Sequence, residues 1–357
     1  MVEKEEKMSC SRNYGIDFLR LIFMFMICTL HVLGQGGVLN LCAFGTINHR
    51  MYWLIEVVSY CAVDGFAFIT GYTASDKTQD YSKFINMWFQ VFFYSFIISV
   101  LATVIGIDGG WNIKSIIMRL LPVTFNQYWY FTAYFALFFF RPILNKYLFN
   151  APKEDCKKIF IFLFVLFSLM GTLKDPFKAQ DGFSSIWIIV VYCMGGLAKQ
   201  IKLFEQKRTF TLLILWLCAN LFSWILWVGL GIDILVNYLS PTIFVSGMIL
   251  VVIFSRVSFN GDIIRKLSPL AFGVYLFQMN PVIWNGVFKD AFKFIYQKPL
   301  AVGVGLVFAY SGLIFVIGLV VEYVRARFAR IIGIEKLSQR ITNAIEKNII
   351  KLFIFLE

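Results

Sequence analysis

Three ionisable side chains, Asp17, Arg20 and His31, interrupt an otherwise apolar run near the start of the chain. On insertion scales a charged group at the centre of a membrane helix costs about 2.5–3.5 kcal/mol, so each needs a reason to be there. Arg20 and His31 are eleven residues apart. At about 100° per residue a helix then returns to within ~20° of its starting direction and rises ~16 Å. The two side chains therefore share a face at different depths. Asp17, one turn before Arg20, falls near the same face and can pair with it. Imidazole takes and releases a proton near neutrality, which makes His31 the natural general base. A second apolar run carries Glu56 and Asp64. Counting 1.5 Å per residue puts Glu56 near the level of His31 and Asp64 between His31 and Arg20. Either could orient the imidazole, and the spacing does not choose.

These residues must be positioned by helices in a bilayer. Hydrophobic residues are 59% of 357 and charged residues 15%, far from the usage of soluble domains. Uncharged runs at 84–107, 209–232, 234–255 and 267–288 each exceed the ~20 residues that cross the hydrocarbon. The pattern predicts an all-α polytopic protein of roughly ten spans, near 16–36, 52–73, 84–106, 123–145, 159–173, 183–200, 210–231, 234–255, 268–288 and 300–324. In this reading His31 is the only histidine within a span. The first run is too long for a signal-peptide core and is read as a retained helix. Residues 1–333 form one transmembrane domain. In 334–357, Ile334, Leu337, Ile341, Ile345, Ile349 and Leu352 recur at helical spacing between basic residues, as in an amphipathic helix on the inner leaflet.

The net charge of +12 belongs to short loops, and reads as topology instead of nucleic-acid binding. Of the 33 basic residues only Arg50, Lys114, Arg119, Lys174, Lys178, Lys289, Lys293 and Lys298 fall on the far side when both termini are cytoplasmic. The expected location is the inner or plasma membrane. Seven cysteines form no CxxC pair, so neither a disulfide framework nor a metal site is expected. Asn126-Gln127-Tyr128-Trp129-Tyr130 reads as an aromatic segment at the membrane interface. GxSxG, Walker A and HExxH motifs are absent, which leaves soluble-type serine hydrolases, NTPases and zinc enzymes without support.

Tyr14-Gly15-Ile16-Asp17-Phe18-Leu19-Arg20, ten residues and then His31 resemble the start of the acyltransferase 3 family of bacterial membrane O-acyltransferases. Three further segments agree in order: Val63-Asp64-Gly65-Phe66-Ala67-Phe68-Ile69-Thr70-Gly71-Tyr72; Tyr128-Trp129-Tyr130-Phe131 with Arg141-Pro142-Ile143-Leu144-Asn145; and Phe272-Gly273-Val274-Tyr275-Leu276. The resemblance implies ten transmembrane helices and transfer of an acyl group, usually acetyl from cytoplasmic acetyl-CoA, to an envelope carbohydrate. It also implies that His31 is catalytic, that Arg20 is its essential catalytic partner near the acyl-CoA entrance, and that Glu322, the acidic residue near the end of the last helix, belongs with them to the catalytic set. A plain ion pair with Arg325 is the alternative for Glu322. The chain departs from the family pattern at Thr70, in place of serine, and at Gln278, where a histidine is common. It also lacks the paired arginines after the second helix, for which Lys77 and Lys83 are the available substitutes.

The combined expectation is an O-acetyltransferase with acyl-CoA as co-substrate and no bound cofactor. Acyl-CoA meets Arg20, Lys77 and Lys83 at the inner face, and the acceptor is an envelope polysaccharide or glycolipid. The rival reading is a transporter or flippase with a path through Asp17, Arg20, His31 and Asp64.

Overall fold

The computed structural model describes residues 12–74, 79–107, 112–259 and 261–356, and side chains as far as 348. Among these residues the chain is helical, with no strand. The helices are α1 (Tyr14–Leu33), α2 (Ile47–Tyr72), α3 (Tyr81–Val104), α4 (Ile113–Leu120), α5 (Trp129–Asn150), α6 (Lys153–Lys174) and α7 (Ser185–Gln200). They continue with α8 (Thr209–Leu230), α9 (Pro241–Ser255), α10 (Asp262–Leu267), α11 (Ala271–Gln278), α12 (281–288), α13 (Leu300–Ile331) and α14 (Ile334–Leu356). Six of them, α1, α2, α3, α6, α8 and α13, are long and apolar enough to cross a membrane, and α7 and α9 are shorter apolar helices.

The bundle is built around α1 and α2. α2 packs against α1, α7 and α9, while α1 also meets α13. The α2–α7 contact depends on glycine. A Cβ built on Gly71 would lie 1.9 Å from the Tyr192 carbonyl oxygen, and one on Gly195 would lie 2.3 Å from that of Phe68. Backbones this close are how helices associate in lipid, where apolar burial gives no drive. α14 lies against α3.

Three expectations change. α2 begins at Ile47, capped by Thr46 Oγ1 accepting from the His49 amide. His49 therefore also lies in a long apolar helix, buried among Phe44, Trp53 and Trp227. The segment expected at 159–173 is the longer helix α6, with a π-wound turn at Phe164–Met170. The span expected at 268–288 is broken. Pro281 has no N–H to donate and disfavours α conformation in Asn280, which is extended at φ −57°, ψ 126°. Asn280 repairs the break: its Oδ1 accepts from Val282 N, and its Nδ2 donates to the Tyr94 carbonyl at 2.7 Å. Such breaks persist at membrane depth where they are enclosed by protein or line a cavity.

Candidate active site

A cavity of about 490 Å³ runs along α1 from Arg20 to His31 and on to Gln35. α1 supplies both groups on one face, as the eleven-residue spacing requires. The far wall comes from α2, the start of α5 and the broken α11–α12 segment. The turn after α1 is tied to that segment. Gln35 Nε2 donates to the Trp284 carbonyl at 3.1 Å, and the amides of Asp290 and Phe292 donate to the carbonyls of Gln35 and Gly36.

The imidazole of His31 is oriented by neither carboxylate. Its Nδ1 lies 2.9 Å from Gln278 Oε1. The amide oxygen only accepts, so Nδ1 carries the proton and Nε2 keeps its lone pair. Gln278 is fully buried, and its Nε2 donates to Cys28 Sγ at 3.6 Å and Met24 Sδ at 3.8 Å. The edge of Trp284 closes a second side of the ring, with centroids 4.7 Å apart. The break between α11 and α12 puts Gln278 and Trp284 on either side of it, and both contact His31.

The two carboxylates take different places. Asp64 Oδ1 accepts from Trp187 Nε1 at 2.8 Å across the α2–α7 interface, and Asp64 is not among the cavity residues. Glu56 does line the cavity, with Oε2 lacking a hydrogen-bond partner among the described residues. At the other end Asp17, 3% exposed, accepts from Arg20 Nη1 at 2.7 Å, from Ser268 Oγ at 3.1 Å and from Arg12 Nε. This network fixes the first turn of α1 and leaves Arg20 lining the cavity.

Arg20 also lines a second cavity of about 710 Å³ at the same end of the bundle. Arg12, Lys153, Lys199 and Lys202 join it there, with Asp17 the one carboxylate among the lining residues. Arg20 thus stands between a basic vestibule and the His31 cavity. Lys83 is elsewhere: its side chain is 83% exposed and ion-paired with Asp80 at 3.4 Å. The Ser82 hydroxyl and then Lys83 hold the Asp80 carboxyl below its ordinary range. Lys77 lies outside the described residues.

Glu322 belongs to another cluster. It is 2% exposed and receives Arg325 Nε at 2.8 Å and Nη2 at 2.7 Å, a two-point ion pair, and Tyr94 OH at 2.9 Å. Gly273 makes room for it, since a Cβ there would lie 2.4 Å from the carboxyl. The cluster ties α13 to α3 and α11, and none of its residues lines the His31 cavity.

Trp129 and Tyr130, expected at a membrane interface, line the His31 cavity instead. Trp129 stacks on Tyr238 and meets Phe183 at a tilt, and the Tyr130 amide donates to Tyr275 OH at 3.2 Å. Sequence reasoning missed Trp284, Tyr238 and the vestibule lysines. Gln278 had two signals, an amide in the middle of an apolar run and its place where the family pattern commonly has a histidine, but neither pointed to His31.

Fold and site together define a polytopic helical membrane protein with a histidine-bearing cavity in its interior. The family of the acyltransferase domain matches residues 13–323, nearly the whole chain, and the protein belongs to that family. It is therefore a membrane acyltransferase. No curated protein and no solved structure matches it.

Proposed function

We propose that the protein moves an acyl group, acetyl in the simplest case, from cytoplasmic acyl-CoA to a hydroxyl of an envelope carbohydrate, with His31 as the base. The observation that carries this reading is the shared cavity: Arg20 and His31 line one continuous space, and Arg20 also lines the basic vestibule. Acyl-CoA brings several phosphate charges, which suit the vestibule cations Arg12, Lys153, Lys199 and Lys202. Its thioester then passes Arg20 toward His31. The Arg20 end is the cytoplasmic one, in keeping with the basic loops gathered there. In intact cells a cysteine introduced beside Lys153 would then be closed to an impermeant reagent.

In the transfer step His31 Nε2 takes the proton of the attacking hydroxyl, whose oxygen bonds to the thioester carbonyl carbon. The C–S bond breaks, and the imidazolium returns its proton to the departing thiolate. Gln278, by holding the proton on Nδ1, keeps Nε2 free for both transfers. Arg20 offsets negative charge near the donor.

The test uses membranes containing equal amounts of each variant, supplied with labelled acetyl-CoA. His31→Gln keeps one hydrogen bond but cannot shuttle a proton, so transfer of label to the acceptor should fall at least ~100-fold. Near-normal labelling by His31→Gln would remove His31 from the chemistry. His31→Ala should remain inserted, because losing an imidazole lightens the polar load of α1.

A further inference from the structure

The pairing of His31 with Gln278 leaves Glu56 Oε2 without a hydrogen-bond partner among the described residues. Glu56 is 6% exposed, lines the His31 cavity, and has Oε2 unmatched among the described residues. A buried carboxyl oxygen with no donor is costly, and a well-packed core would replace it with an apolar side chain. It sits close to the base. A Cβ built on Gly34, three residues beyond His31, would lie 4.0 Å from Glu56 Oε1. One turn along α2, Tyr60 begins an aromatic wall. Its ring centre is 5.2 Å from that of Tyr238, which is 4.9 Å from that of Phe183, and all three line the cavity. At this end of the cavity a carboxyl group with an unmatched oxygen therefore stands among the lining residues, beside flat aromatic rings.

We propose that Glu56 accepts a hydrogen bond from an acceptor hydroxyl adjacent to the one that is acylated, so that the substrate is a polyol with neighbouring hydroxyls whose apolar face lies on Tyr60, Tyr238 and Phe183. This rests on His31 acting as base toward a hydroxyl. With one O–H on Glu56, the next is turned toward His31 Nε2. Sites built to hydrogen-bond a substrate hydroxyl discriminate strongly against analogues that lack it. Asp64 also has an unmatched oxygen, Oδ2, among the described residues, but it does not line the cavity, and its Oδ1 accepts from Trp187.

The test uses membranes that label their own acceptor from labelled acetyl-CoA, with 1,2-cyclohexanediol, cyclohexanol and choline as competitors. In the wild type the diol should suppress labelling at a concentration about ten-fold below that of cyclohexanol. In Glu56→Leu this preference should fall to about one, while binding of labelled acetyl-CoA to the purified protein stays at the wild-type level. Glu56→Ala reads the same ratio if the leucine variant fails to insert. An unchanged ratio in these variants, or no preference for the diol in the wild type, overturns the assignment. Choline as the strongest competitor also overturns it, because a carboxylate beside aromatic rings would then be serving an ammonium group. Failure of the wild type to label any acceptor strikes the acyl-transfer reading instead, and so the two failures are distinguishable.

Discussion

Two of the buried polar clusters among the described residues, one around Glu322 and one around His31, are satisfied to different degrees. Around Glu322, Arg325 makes a two-point contact with the carboxylate and Tyr94 OH donates to it as well, so both oxygens are matched within the protein. Around His31, among the described residues, Nδ1 is engaged by Gln278 alone and Glu56 Oε2 has no partner. The first arrangement spends its polar capacity on joining helices. The second leaves hydrogen-bonding capacity unmatched in residues that line a cavity. In a bilayer interior an unmatched hydrogen-bonding group is costly, so the two clusters should respond differently to substitution.

Breaking the saturated cluster should give the larger effect on stability. Glu322→Ala leaves Arg325 buried without its counter-charge, a loss of about 3 kcal/mol or more for a buried pair. The expected outcome is a lower melting temperature in detergent and less protein in membranes. Transfer per inserted molecule should stay near wild type. A full-length, well-inserted Glu322→Ala protein without activity would instead place Glu322 in the chemistry, as the family resemblance implies.

The unsaturated cluster is sharpened by Gln278→Leu. The leucine removes the acceptor at Nδ1 without leaving a polar orphan of its own, so the imidazole loses its fixed tautomer and orientation. Loss of such an orienting partner costs about ten-fold or more, read as a lower kcat with unchanged acetyl-CoA binding. Gln278→His, which restores the residue common in the family, should recover part of that loss. A merely space-filling role predicts that leucine serves as well as glutamine.

The smallest effects belong to the vestibule. Lys199→Ala and Lys202→Ala remove partly exposed charges worth about 0.2–1 kcal/mol each, so acetyl-CoA affinity should fall a few-fold and become less sensitive to salt. Lys83→Ala should change affinity less than either, because Lys83 is not among the residues that line the vestibule. The opposite ranking would return the α2–α3 loop to the donor site.

Much of this architecture was legible in the sequence. Apolar runs mark the membrane helices because nothing soluble can hide them, and the eleven-residue interval from Arg20 to His31 puts both groups on one face of α1 as a matter of helical geometry. The Asp17–Arg20 pair follows from spacing within a single turn. The break between α11 and α12 was signalled by Pro281 but lay inside a run uniform enough to read as one span. The early start of α2 depended on the Thr46 cap, a local hydrogen bond that hydropathy does not register.

The sequence by itself determined that the chain enters the membrane, that α1 carries a polar stripe, and that His31 is the residue suited to proton transfer, because these properties follow from composition and from periodicity along one helix. Only the tertiary structure decided which partner the imidazole has. Glu56 and Asp64 are equally plausible by depth, yet Trp187 takes Asp64, Gln278 takes His31, and Glu56 is left facing the cavity. Likewise Lys153, Lys199 and Lys202 are scattered along the chain and meet Arg20 only because the end of α5, the start of α6 and the end of α7 lie at the same level of the bundle. Rise per residue fixes how deep a side chain lies, whereas the direction in which one helix faces another depends on where backbones approach closely, as at Gly71 and Gly195.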